Sequence, residues 1–367
     1  MWLYLVLFVA PSWVCFGAAD RPRFDPPAAV QSADSSSVQR SPKNESMNAP
    51  SNSSTILGMG LGLFATDPNY DYGTMISEIA ELGATDVLMV VAWYQTSVGS
   101  HDIQPRVSFS PSETALVRTI KQARASGLRV TLLPIVRLIQ RAPDEWRGRI
   151  APEAGPKVWF QSYGRFLKMM ARIAAKEDVS RLSVGSELVS METYEDEWRS
   201  LINDIRGIFS GRLIYSANWD HYWSVPFWDA LDDLGVTGYF ELSTSPGQKS
   251  QAELLKGWNS PIRDLERFRF VHQKPLIMTE VGYPSKTTAA QFPWDETRQA
   301  PLDHGLQARL YEVFCRAFGK RRALDGFFIW NWFGFGGRHD STYSPRNKPA
   351  ASVLRQCFHN PMWYESR

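Results

Sequence analysis

From Ile56 onward the chain consists of short apolar runs that alternate with longer segments whose apolar residues fall three and four apart. The runs suit strands buried on both faces, and the longer segments suit helices packed along one face. Gly58–Phe64, Asp86–Val91, Arg129–Leu133, Arg181–Glu187, Leu213–Ala217, Leu234–Gly238, Pro275–Glu280 and Gly326–Ile329 read as strands. A helix is expected over Met75–Leu82, and another after Ser110-Pro111-Ser112-Glu113. That tetrapeptide has the form of a capping box with Pro at the first helical position, and Gly127 closes the segment. A third helix carries Phe160, Tyr163, Leu167, Met170 and Ala174 on one face, and a fourth carries Trp198, Leu201, Ile205 and Ile208. A further helix covers Leu306–Phe318. Eight strands, most of them separated by helices, predict an α/β fold: a parallel sheet closed into a single-domain (β/α)8 TIM barrel.

Two of the strands end in a way that a buried strand should not. Arg181–Leu188 closes on Gly185-Ser186-Glu187, and Lys274–Ser285 places Thr279-Glu280 directly after an apolar run. A carboxylate there is costly unless something uses it. In a barrel of this kind the C-terminal strand ends converge on one mouth, so Glu187 and Glu280 are expected to face each other. Two carboxyls are what cleavage of a glycosidic bond needs: one protonates the leaving oxygen, and the other attacks the anomeric carbon or activates water. Either glutamate alone would read as a salt-bridged structural group; the pair points to the chemistry. One of the two must hold its proton near the working pH while its partner stays ionised. Trp93, Trp219, Tyr239, Trp330 and Trp332 also follow strand ends. Indole and phenol rings there suit the flat C–H faces of sugars, with ordinary core packing as the alternative.

Composition narrows the remaining choices. The 367 residues are 44% apolar and 13% aromatic, ample for a large core. A formal net charge of +2 with scattered Lys and Arg leaves no nucleic-acid footprint and no membrane-surface patch. The six histidines lack ligand spacing, and HExxH, CxxC and G-x-S-x-G motifs are absent, so no metal and no cofactor are expected. Residues 1–19, with the apolar run Trp2–Ala10 and the small residues Gly17-Ala18-Ala19, read as a signal peptide. The expected location is secreted or periplasmic, with a membrane tether through an uncleaved N-terminus as the alternative; the apolar run is too short to span a bilayer. Residues 20–54 read as a disordered Pro/Ser-rich linker, with sequons at Asn44 and Asn52, and residues 55–367 as the catalytic domain. Cys315 and Cys357 are left either as a disulfide or as two buried thiols.

The chain resembles glycoside hydrolase family 113, retaining (β/α)8-barrel β-mannanases. The stretches that carry the resemblance are Glu145-Trp-Arg-Gly-Arg-Ile-Ala-Pro152, Val184-Gly-Ser-Glu-Leu188, Tyr215-Ser-Ala-Asn-Trp219, Phe227-Trp-Asp229, Tyr239-Phe240, Thr279-Glu-Val-Gly-Tyr283 and Phe328-Ile-Trp-Asn-Trp332. The resemblance implies that Glu187 is the acid/base and Glu280 the nucleophile of a double displacement, so Glu187 should hold its proton while donors such as Tyr239 keep Glu280 ionised. It implies that Tyr239 hydrogen-bonds the nucleophile, that Trp330 floors the sugar subsite at the scissile bond, and that Asn218 and Trp219 bind the sugar. The implied substrate is β-1,4-mannan, met by a monomer without nucleic-acid or membrane partners. Three stretches depart from the family pattern: Ser186 replaces Asn, Leu133-Pro134-Ile135 replaces Lys-Pro-His, and Thr237-Gly-Tyr-Phe-Glu241 replaces Asp-Ala-Tyr-Phe-Pro. They spare the carboxyl pair but touch expected substrate contacts. β-Glucan, xylan and exo-β-mannoside therefore stay open as alternatives, as does a carbohydrate-binding barrel without catalysis.

Overall fold

Eight parallel strands, hydrogen-bonded in sequence order from the first to the last and back to the first, close a barrel. The computed structural model describes residues 55–244, 249–319 and 323–360. The expected signal peptide, linker and both sequons lie outside them. The strands are β1 (Ile56–Gly62), β2 (Asp86–Gln95), β3 (Arg129–Leu138), β4 (Arg181–Ser186), β5 (Arg212–Ala217), β6 (Asp233–Thr237), β7 (Leu276–Val281) and β8 (Gly326–Ile329). The helices are α1 (Gly73–Glu81), α2 (Glu113–Ala125), α3 (Pro156–Lys176), α4 (Glu195–Arg206), α5 (Gln251–Gly257), α6 (Asn259–His272), α7 (His304–Phe318) and α8 (Pro349–Phe358). Only short 3-10 turns connect β5 to β6. The architecture is the (β/α)8 barrel that the alternating pattern predicts.

Alternation along each strand sorts side chains into two cores. On β2, Leu88, Val90, Ala92 and Tyr94 point into the barrel, while Val87, Met89 and Val91 pack against the helices. The glycines of β1 lie on its inward face and make room for rings: a Cβ on Gly58 would meet Phe328 at 2.2 Å, one on Gly62 would meet Phe64 at 2.3 Å, and one on Gly60 would lie 3.3 Å from Trp330. This explains why the first strand is Gly-rich. At the opposite, N-terminal end of the strands, buried carboxylates are paired: Asp86 with Arg129 at 2.6 Å, and Asp233 with Arg181 at 2.7 Å.

Several element ends differ from expectation. α2 begins at Glu113 with Ser112 as its cap, whose hydroxyl accepts from the Ala115 N–H at 3.1 Å. Ser110 lies outside the helix because its hydroxyl donates to the Ala92 carbonyl at 2.7 Å, tying it to β2. β3 runs on to Leu138, and α4 stops at Arg206, short of Ile208. Cys315 and Cys357 are disulfide-bonded across 42 residues and join α7 to α8.

Candidate active site

Pairing register shifts at the C-terminal ends of three strands: β4 between Ser183 and Ser186, β6 between Val236 and Thr237, and β7 between Met278 and Val281. Irregularities of this kind re-aim side chains at barrel rims. These are the strands that carry Glu187, Thr237 with Tyr239, and Glu280.

Glu187, directly after β4, has a left-handed backbone with φ of 51°. A non-glycine residue there is strained, and the turn is held by its surroundings. The Glu187 N–H donates to the Ser216 carbonyl at 2.8 Å, and the next N–H, of Leu188, donates to the Tyr215 hydroxyl at 2.9 Å. The Glu187 carboxyl is fully buried. Arg147, on a 3-10 turn between β3 and α3, donates from Nη2 to Glu187 Oε2 at 2.6 Å and from Nε to the Ser186 carbonyl at 3.1 Å. Thr237 also favours the ionised form of the Glu187 carboxyl, and its Oγ1 accepts from the Trp219 N–H at 3.1 Å.

Glu280, on β7, is likewise buried. The Tyr239 hydroxyl donates to its Oε2 at 2.7 Å, as expected, while Oε1 has no hydrogen-bond partner among the described residues. Burial raises both carboxyls above ordinary glutamate values. Glu280 is pushed up to about 8, by burial first and then by the charge of Glu187, with Arg147 and Tyr239 pulling it back. Glu187 is raised by burial, with Arg147 and then Thr237 opposing and Asp220 and Glu192 adding to it. Two such carboxyls titrate together, and the pair holds a proton more tightly than two free glutamates would. The expectation had that proton on Glu187 alone. Arg147 bears on Glu187 and favours its ionised form, while burial raises Glu280 as well, so Glu280 is not held ionised as expected.

Around the pair stand the rings. Trp330 is buried in the inner cluster with Tyr239, Trp294 and Tyr343. Trp219, half-buried, stacks on Trp294 with centroids 5.4 Å apart. Asn218 donates to Asp220 Oδ1 at 2.7 Å. Arg137, at the end of β3, lies 5.8 Å from the Tyr94 ring centroid and 5.5 Å from that of Phe64. Trp93 is placed elsewhere: it stacks on Phe166 of α3, centroids 4.5 Å apart, on the helix side of the wall. The inward residue at that point is Tyr94, because neighbours on a strand face opposite ways. Trp332 also faces away, its indole N–H donating to Glu78 Oε2 at 2.7 Å.

A sequence model for Glycoside Hydrolase Family 113 matches residues 65–343. The chain belongs to glycoside hydrolase family 113. Among solved structures, a family 113 β-mannanase from Alicyclobacillus acidocaldarius is 26% identical, with a TM-score of 0.73 over 83% of this chain and 97% of its own. A second structure, of a family 113 β-1,4-mannanase, is 25% identical, with a TM-score of 0.74 over 86% of this chain and the whole of its own. A family 5 enzyme from Streptomyces cattleya, at 13% identity and a TM-score of 0.57, shares the fold. No curated protein matches the chain. As a family 113 protein the chain is a glycoside hydrolase, and a carbohydrate-binding barrel without catalysis is set aside.

Arg147 and Thr237 are the site residues that strand-end reasoning passed over. Arg147 lies in the Glu145–Pro152 stretch that resembles the family, but in a loop with no periodic pattern to give it a direction. Thr237 belongs to a stretch that departs from the family, and a lone threonine carries no signal of its own. Trp294 sits in the long connection between β7 and α7, where no strand end marks it.

Proposed function

We propose that the protein hydrolyses β-1,4-mannan with retention of configuration, using Glu187 as acid/base and Glu280 as nucleophile. The observation that carries this reading is the buried pair at the ends of β4 and β7, each glutamate held by its own donor, in a member of family 113 whose similar structures are β-mannanases. Tyr239 occupies Glu280 Oε2, which leaves Oε1 to attack the anomeric carbon. As that bond forms, the glycosidic C–O bond breaks and the Glu187 proton passes to the leaving oxygen. Capture of Glu280 as a glycosyl ester removes its negative charge. The repulsion between the two carboxylates is then gone, while Arg147 remains 2.6 Å from Glu187 and favours its carboxylate. Glu187 is thereby prepared to take a proton from water, which attacks the ester and releases sugar of the original configuration. Trp330, Trp219 and Asn218 line the mouth as sugar contacts.

We also read residues 1–19 as an export signal, 20–54 as a linker and the remainder as one catalytic unit acting as a monomer outside the cytoplasm. The Cys315–Cys357 disulfide suits an oxidising compartment. The substrate reading is tested by incubating the protein with β-1,4-mannan, cellulose, β-glucan and xylan and following the anomeric configuration of the first products by NMR. Mannan is expected to be cut first, with β products. Preferential turnover of another glycan, or α products, would overturn it.

A further inference from the structure

Beside Glu187 lies a second buried carboxylate that the double displacement does not use. Glu192 is 2% exposed. Its Oε1 accepts from the Tyr215 hydroxyl at 2.7 Å, and its Oε2 lies 2.8 Å from Nδ1 of His221, a residue still reachable by solvent. The same Tyr215 oxygen accepts from the Leu188 N–H at 2.9 Å, directly after Glu187. The Glu192 N–H meanwhile donates to the Leu188 carbonyl at 3.1 Å. Leu188 is therefore held at both its N–H and its carbonyl, next to a backbone in the left-handed region that would otherwise relax. A chain of three side chains leads from the His221 imidazole on the half-exposed flank to the backbone of the strained glutamate.

We propose that Tyr215, Glu192 and His221 are positioning residues for Glu187: they clamp the Glu187–Leu188 turn and hold a negative charge within its reach, so that Glu187 retains its proton for the first step. The inference rests on the acid/base role assigned above. Four charged groups bear on Glu187. Arg147 favours its carboxylate, whereas Asp220, Glu192 and Glu280 oppose it. Glu192 itself is raised by burial, with His221 and Tyr215 favouring its carboxylate and Asp220 opposing it. Of the three like charges, Glu280 is consumed in the reaction, and Glu192 is the one tied by hydrogen bonds to the turn. The sign follows: a nearby negative charge disfavours the ionised form, so removing it lowers the pH at which Glu187 loses its proton.

The test is Glu192→Gln, which keeps a group able to accept from Tyr215 and removes the charge. The basic limb of kcat/KM on mannan should move to lower pH. Turnover of mannan should fall about tenfold, a part of what general acid catalysis supplies. A dinitrophenyl β-mannoside, which needs little protonation, should lose far less, and KM should hold. Tyr215→Phe, which cuts the link between Glu192 and the Leu188 N–H, should lower mannan turnover with the same dependence on leaving group and serves if Glu192→Gln does not fold. Equal losses on both substrates with an unmoved basic limb would overturn the proposal. An absence of mannan turnover in the unsubstituted protein would instead refute the substrate reading, and phenyl β-mannoside, whose poor leaving group needs the acid, then carries the pH test.

Discussion

Arg147→Met separates the two half-reactions. The substitution keeps an apolar stem in the loop and removes a guanidinium that sits 2.6 Å from Glu187 Oε2 with both side chains almost wholly buried. A hydrogen bond between charged groups is worth about 1.5–3 kcal/mol. At about 1.4 kcal/mol per pH unit, its loss should raise the Glu187 pKa, already lifted by burial, by roughly one to two units. Protonation is then easier and deprotonation harder. The first step needs protonated Glu187 and should survive. The second needs its carboxylate and should slow by about 10–100-fold, the same free energy expressed as a rate. With dinitrophenyl β-mannoside, stopped-flow should show a burst of phenolate followed by slow turnover, and mass spectrometry should find the glycosyl-enzyme. The basic limb of kcat/KM should move to higher pH, opposite to Glu192→Gln. A variant with no burst, or with a basic limb at lower pH, would refute the idea that Arg147 favours the base form.

Glu280→Gln should be more stable to heat than the unsubstituted protein, because burial raises its carboxyl to about 8. A carboxyl so raised contributes stability that is complete below its unfolded value near 4.3 and lost as pH rises through the folded value, so the gain should grow between pH 5 and pH 8 in melting curves. Cys357→Ser opens the Cys315 link across 42 residues and should cost up to about 4 kcal/mol by chain entropy, read as a lower denaturant midpoint with kcat/KM retained. Trp93→Leu should lower stability by about 1–3 kcal/mol while leaving KM within about twofold, since its ring packs on Phe166; a large KM increase would place it at the sugar after all.

The barrel was legible because burial on both faces writes itself as uninterrupted apolar runs, and breaks in those runs marked Glu187 and Glu280. Tyr239, which the structure places on Glu280, stood out for the same reason, because it follows a strand end. Trp93 misled because a strand end names a pair of neighbours, and only the strand's phase decides which faces inward; here it is Tyr94. Arg147 and Glu192 were out of reach. Each acts through a contact made in three dimensions, from a loop or a short 3-10 segment where neither period 2 nor period 3.6 applies. The capping site slipped from Ser110 to Ser112 because both serines fit the local rule, and the Ala92 carbonyl on a distant strand claimed one of them.

The roles of the two glutamates are tested most directly by the configuration of glycosyl azides formed by Glu280→Ala and Glu187→Ala on an activated β-mannoside. Without Glu280, azide can enter the vacated face and displace the leaving group once, so the product should be the α-azide. Without Glu187, the covalent intermediate still forms, and azide should attack it to give the β-azide. The same configuration from both variants, or the reverse assignment, would contradict the account.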